Sequence, residues 1–329
     1  MRLLLMMTSH FGFHEMIRES LEKMGYEVTY LDVPAFRYAN FQQRIENFFR
    51  KTFFKNKNFK NQLKTNALEE NILAELNYPE NYFDYCLVIR PDQFTEKIAA
   101  QLQHICRKTI AYQWDGFSRF NLPDGLVNRF DVFAIFDKDD YDKYKSRFRN
   151  LKLTHNFYFD ISKSCEKDLD LVYFGTLDDE RKPLLKRFAN IANELNFKTY
   201  FKLFINNQKK KIEANKNGLI IDNQILSYKK MVKISCRAKC LLDFKFDGHS
   251  GLSFRFYEAL YFRQKIITNN PTAELVDFYR PNNILIFSNI EELTREKIQE
   301  FLSSEYETVE QKIVEKYSFE NWWNTIKNL

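Results

Sequence analysis

The sequence predicts an α/β protein in which two doubly wound parallel sheets face a central cleft. Three observations carry that prediction. The chain has 329 residues, beyond the roughly 250–300 at which a single core usually stops growing. Short apolar runs alternate with amphipathic stretches from Arg2 onward, the order that builds a parallel sheet through crossover helices. At the polar junction Asp168-Leu169-Asp170 the alternation breaks and then begins again. This sets one unit over residues 1–165 and a second over 166–329.

Arg2 to Met7 reads as the first buried strand. Its apolar core, Leu3-Leu4-Leu5-Met6-Met7, is followed at once by Thr8, Ser9 and His10, too short a run for a signal segment or a membrane span. An amphipathic helix over His14–Met24 follows, then a turn at Gly25 and a strand over Glu27–Val33. Further strands are predicted at Tyr85–Ile89, Thr109–Gln113 and Val132–Phe136, with a short run at Leu151–Thr154. The second unit opens with a strand over Leu171–Thr176 carrying Gly175 at its end, followed by a helix over Arg181–Leu195 and a strand over Thr199–Ile205. A polar loop with Lys209-Lys210-Lys211 leads to a helix over Ser227–Cys236, then to the apolar run Cys240–Phe244, a small-residue loop, a helix start and a strand over Lys265–Thr268. Phe319 to Ile326, with Trp322 and Trp323, reads as a closing helix whose rings pack, with the first unit as one surface open to it.

Composition places the chain among folded proteins: 44% is hydrophobic and 16% aromatic, with 33 Phe and 18 Tyr, too much for a disordered chain despite 29% charged residues. A net charge of +6 favours anionic partners without choosing among them. Five scattered cysteines, Cys86, Cys106, Cys165, Cys236 and Cys240, are expected to be ordinary thiols in a reducing, cytoplasmic compartment. Cys236 and Cys240 stand one helical turn apart, and no second pair completes a zinc set. With no apolar run of roughly 18 residues, membrane association is expected to be peripheral at most. The segment over residues 36–64 is where it would occur. There Arg37, Arg44, Arg50 and five lysines face the single acid Glu46, with Phe41, Phe48, Phe49, Phe53, Phe54 and Phe59 interleaved. That composition suits an anionic membrane surface; it also suits a helical insertion whose rings pack on the sheet, or single-stranded nucleic acid, the least favoured partner of the three.

No spaced-glycine dinucleotide fingerprint and no P-loop is present, and the five histidines accompany no nucleophile motif. The chemistry-bearing stretch is Ser250-Gly251-Leu252-Ser253-Phe254-Arg255-Phe256-Tyr257-Glu258. Arg255 and Glu258, three apart near a helix start, share one face where a guanidinium and backbone N–H groups can meet a phosphate. A solvated ion pair is the plainer reading of the same spacing.

The stretch from Asp247 through His249, Ser250 and Gly251 to Leu260, with Lys265-Ile266-Ile267-Thr268-Asn269 after it, resembles the donor-binding region of GT-B-fold glycosyltransferases, closest to bacterial enzymes of capsule and lipopolysaccharide assembly. Tyr112-Gln113-Trp114-Asp115-Gly116 and Phe136-Asp137-Lys138-Asp139-Asp140-Tyr141 resemble stretches of the same group. The resemblance implies two Rossmann-like domains, with a nucleotide-sugar co-substrate on the second domain, a glycan or lipid-linked acceptor on the first, and no other cofactor. Glu258 would then hold the donor ribose, Gly175 and Thr176 would line the donor side, and Arg255 would neutralise the diphosphate as it departs, with Lys202 a second cation. The common retaining pattern has two glutamates eight positions apart; here the position eight before Glu258 is Ser250. Asp247 or His249 are the substitutes at hand, and the stereochemical outcome stays open. On the acceptor side Asp115, after a strand end, is a candidate base, with an Asp-Gly turn as its plain reading; His10, after the first strand, is the rival. Asp137-Lys138-Asp139 and Asp168-Leu169-Asp170 are read as helix-cap and junction acids, with no metal required. The expected activity is sugar transfer in bacterial surface polysaccharide synthesis. A non-catalytic nucleotide- or glycan-binding partner in an assembly complex is the alternative.

Overall fold

The computed structural model describes residues 1–32, 69–117, 122–161, 165–176, 179, 181–204, 220–221, 226–245 and 250–329. The basic aromatic segment 36–64, Lys209 to Lys211, Asp247 and His249 lie outside the described residues.

Six parallel strands form the first sheet: β1 (Arg2–Met7), β2 (Glu27–Asp32), β3 (Tyr85–Ile89), β4 (Thr109–Gln113), β5 (Val132–Ile135) and β6 (Leu151–Leu153). Their spatial order is β2-β1-β3-β4-β5-β6. Helices α1 (Phe13–Lys23), α2 (Glu96–Ile105), α3 (Asp124–Val127) and α4 (Lys138–Tyr144) connect or flank them. In β1, Leu3, Leu5 and Met7 join one core with Phe13 and Ile17 of α1, while Leu4 and Met6 join another with Ile98 and Leu102 of α2. A strand buried on both faces needs such a continuous apolar run.

The second sheet contains β7 (Leu169–Thr176), β8 (Thr199–Phe204), β9 (Ile220–Ile221), β10 (Ala238–Asp243), β11 (Lys265–Thr268) and β12 (Ile284–Ile286), in the order β12-β11-β10-β7-β8-β9. Its helices are α5 (Arg181–Glu194), α6 (Tyr228–Ser235), α7 (Phe254–Phe262) and α8 (Arg295–Ser303); α9 (Gln311–Lys316) and α10 (Phe319–Ile326) follow. Side-chain caps start these helices where the sequence supplies hydroxyls: Ser227 for α6, Ser253 for α7 and Ser318 for α10.

Strand order reverses between β1 and β3 in the first sheet and between β7 and β10 in the second. Crevices open at the carboxyl ends of strands at such switch points, and ligands of open α/β sheets bind there.

The two sheets share one core. Its members include Leu3, Phe13 and Tyr112 from the first half, and Val172, Leu241, Phe256 and Trp322 from the second. Helix α10 packs on the first sheet: Trp323 meets Tyr26 and Tyr85 edge-on at 6.0 and 5.8 Å, and Trp322 lies 5.0 Å from Tyr112. The Lys108 ammonium donates to the Lys327 carbonyl at 2.9 Å.

The cysteine reading is corrected. Cys165 and Cys236 form a disulfide, their Cα atoms 5.8 Å apart across 71 residues of sequence, while Cys86, Cys106 and Cys240 are buried free thiols. Cys240 sits in β10, so it shares no helix with Cys236. The reason is tertiary: the junction before β7 folds back over the end of α6, where Lys167 donates to the Cys236 carbonyl at 2.7 Å. An odd cysteine count therefore gives no argument here for a reducing compartment. Among the described residues, no helix is long and apolar enough to cross a membrane.

Candidate functional site

At the second sheet's switch point, Arg255 ties the ends of β7 and β10 together. Its Nη1 lies 3.1 Å from Asp243 Oδ1, and its Nη2 donates to the Phe174 carbonyl. Ser253 completes the arrangement, accepting from the Arg255 N–H at 3.3 Å and donating its hydroxyl to Asp243 at 2.7 Å. The Arg255 side chain is 31% exposed and that of Asp243 only 6%. The ion pair read from the Arg255/Glu258 spacing is replaced by one with Asp243, a partner on another element.

Glu258, one turn further along α7, is buried and accepts a hydrogen bond from the Tyr228 hydroxyl. Burial pushes its carboxyl above the usual range and Asp243 adds to that, while Tyr228 and Arg255 work in the opposite sense. A Cβ at Gly175 would lie 2.3 Å from the Tyr173 hydroxyl, so a larger residue there would displace that ring. Thr176 ends β7 in register with Phe204, and Lys202, buried on β8, is in register with Phe174. Arg181, buried at the start of α5, donates to the Phe244 carbonyl at 3.1 Å. Sequence reasoning missed it, although a cation opening the helix after a glycine-ended strand was a signal available to it.

On the first sheet, Arg90 follows β3 in the left-handed region, φ 62° and ψ 61°, a conformation that costs a non-glycine residue roughly 1–2 kcal/mol. Its guanidinium meets Asp92 through Nε at 2.6 Å and Nη2 at 2.7 Å, and Asp115 through Nη1 at 2.8 Å. Asp115, two residues past β4, is thus held at the first switch point's rim by a partner that the Asp-Gly reading did not foresee. His10 begins the 3-10 turn His10–Gly12 that reverses the chain after β1, with Phe11 and Gly12 both left-handed; only the backbone of His10 is described.

Between these groups lies an aromatic wall. Phe13 of α1 packs 5.1 Å from Trp114, 4.4 Å from Tyr228 and 5.0 Å from Phe254. Trp114, beside Asp115, and Phe254, beside Arg255, also meet edge-on at 5.9 Å, so rings of both halves pack together here.

The loop before α7 crosses to the first sheet. Asp137 accepts from the Gly251 N–H at 3.0 Å and from the Ser250 N–H, and its other oxygen caps α4 through the Asp140 N–H at 3.0 Å. Asn156 donates to the Leu252 carbonyl at 2.8 Å. Gly251 is needed for this approach, since a Cβ would sit 2.4 Å from the Phe136 ring. Of the junction acids, Asp168 pairs with Arg237 and Asp170 with Lys239. Among the described residues, no group of three His, Cys, Asp or Glu gathers at metal-binding distance.

A cavity of about 550 Å³ lies beside the disulfide, lined in part by Ile161, Val232, Asp168, Arg237 and Phe262. It faces the amino-terminal ends of β7 and β10, opposite the edge where sheets of this kind bind ligands.

A scan against protein-family models finds no match, and a search of curated proteins finds none either. Solved structures do match. An α-glucosyltransferase in complex with UDP-glucose and DNA containing an abasic site superimposes with a TM-score of 0.57 at 12% identity, over 99% of this chain and 95% of that one. UDP-GlcNAc 2-epimerase from Methanocaldococcus jannaschii matches with a TM-score of 0.53 at 12% identity, over 100% and 99% of the two chains. AviGT4, a glycosyltransferase involved in avilamycin A biosynthesis, matches with a TM-score of 0.51 at 9% identity, over 100% and 98%. Identities this low carry the fold and not the reaction, and an epimerase stands beside transferases. In its two parallel sheets flanked by helices, the chain has the two-domain α/β architecture of these proteins, the GT-B fold.

Proposed function

We propose that this chain is a glycosyltransferase that moves a sugar from a nucleotide-sugar donor on the second sheet to a glycan or lipid-linked acceptor on the first, in bacterial surface polysaccharide synthesis. The observation that carries the reading is Arg255, anchored to both strands of the second switch point and still 31% exposed. In the reaction the bond from the sugar's anomeric carbon to the diphosphate breaks and one to the acceptor oxygen forms. The departing nucleoside diphosphate gathers charge that Arg255 and the N–H groups opening α7 stabilise. The acceptor proton passes to Asp115, which Arg90 holds in place; His10 is the rival base. Glu258 binds the donor ribose, with Gly175, Thr176, Ser250 and Gly251 lining the donor side.

One observation favours the non-catalytic alternative. Ser250 stands where a sugar-binding glutamate would, and its hydroxyl already faces Asp137 at 3.3 Å.

The test is a thermal-shift panel of UDP, GDP, CMP, ADP and TDP with their sugar conjugates, on the wild type and on Arg255→Ala. UDP-glucose and UDP-GlcNAc are the first choices, since matching structures hold them. A ligand at a hundred times its Kd adds about 2.7 kcal/mol of stability, a clear rise in Tm that Arg255→Ala should abolish. No shift with any nucleotide overturns the proposal. Binding without transfer to any acceptor selects the non-catalytic reading.

A further inference from the structure

Among the described residues Asp137 is the most buried carboxylate, 2% exposed, and its hydrogen bonds there come from N–H and O–H donors. Three of the four donors belong to one loop of the other half: the Ser250 N–H, the Ser250 hydroxyl and the Gly251 N–H. The fourth is the Asp140 N–H of its own helix. A buried carboxylate is tolerated only when its lone pairs are met, so this one is committed to holding residues 113 and 114 positions away. Consecutive N–H groups converging on one oxygen make an anion nest.

The loop is gripped along its length. Asn156, itself buried and fixed by the Tyr112 hydroxyl, takes the Leu252 carbonyl. From the loop's own half, Asn270 and Thr272 donate to the Ser250 carbonyl at 3.1 and 2.6 Å. Ser253 then caps α7, and Arg255 follows two residues later. The path from Ser250 to Arg255 therefore has its upstream end set by groups of the first sheet.

We infer that Asp137 is a positioning residue: it fixes the Ser250-Gly251 loop, and through it the start of α7, so that donor affinity depends on contact between the two halves. This rests on the donor-site reading above. Asp137→Ser is the fold-preserving variant, because serine still caps α4 but is too short and uncharged to hold two N–H groups of the loop.

The experiment is hydrogen–deuterium exchange on the full chain without ligand, paired with nucleotide titration by the panel above. Loss of charge-assisted bonds should speed exchange at the Ser250 and Gly251 amides by about tenfold or more, leave Tm within a few degrees, and weaken nucleotide binding by about tenfold. Unchanged exchange at these amides overturns the inference. Faster exchange throughout the second sheet with a collapsed Tm also overturns it, as a purely structural role. Tighter nucleotide binding overturns it in another way, by showing that the carboxylate occupies a place a donor phosphate would take. If the wild type binds no nucleotide, the donor reading fails, and local exchange alone decides whether Asp137 orders the loop.

Discussion

Gly251→Ala puts the contact between the two halves to a quantitative test. An added Cβ would lie 2.4 Å from two Phe136 ring carbons and 3.1 Å from the Phe136 carbonyl oxygen. Ordinary carbon contacts are about 3.5–4.0 Å, so the ring must retreat by about 1 Å. Phe136 is buried and leads directly into Asp137, which the same loop binds, so ring, loop and clasp move together or not at all. Overpacking of this kind costs about 1–3 kcal/mol, a fall in Tm of about 2–10 °C by calorimetry. The ring can be removed to check the cause. Phe136→Ala alone should cost about 3–5 kcal/mol through its cavity, and Gly251→Ala made on that background should cost almost nothing, a coupling of about 1–3 kcal/mol. If Gly251→Ala costs the same with and without the ring, the clash is not the cause and the argument fails.

Two further outcomes follow from the same structure. Because burial holds Glu258 above the usual carboxylate range, the folded chain binds its proton more tightly than the unfolded one, and this site's contribution to stability falls as pH rises from the ordinary Glu pKa to the raised one. Glu258→Gln, which keeps an acceptor for Tyr228, should therefore gain on the wild type in denaturant unfolding as pH rises above the ordinary Glu pKa; a difference that does not change with pH contradicts the burial argument. Reduction of the Cys165–Cys236 disulfide, which spans 71 residues, should lower stability by about 4 kcal/mol on chain-entropy grounds, and titration of the denatured, unreduced chain should return the three thiols of Cys86, Cys106 and Cys240 rather than five.

The strands were legible because each is an apolar run of its own. Arg2–Met7, Tyr85–Ile89, Thr109–Gln113 and Lys265–Thr268 have the predicted bounds, because burial on both faces gives each an apolar centre, with its polar residues at the strand ends. Edges were less visible: Ile220–Ile221 and Ile284–Ile286 are too short to stand out. At the site, what depends on neighbours in sequence could be read, such as Ser253 before α7. What depends on distant pairing could not. Asp243 meets Arg255 across 12 residues, Tyr228 meets Glu258 across 30, Asp137 meets Ser250 across 113 and Cys165 meets Cys236 across 71. Asp137 was noticed only as a cap, which is half of what it does; the other half comes from a loop that the fold, and no local spacing, brings to it.

The position of α10 has a consequence for how the chain is made. Trp322 and Trp323, fully buried, fill the core against Tyr26, Tyr85 and Tyr112 of the first half, yet they leave the ribosome roughly 170 residues after the last strand of its sheet, a delay of about 10–30 s at ordinary elongation rates. Throughout that interval the nascent first half carries an uncovered aromatic face. Growth of the second half is thus a race against self-association, and a fragment ending near residue 165 would keep that face exposed permanently, needing a chaperone or the missing helix added in trans to remain in solution.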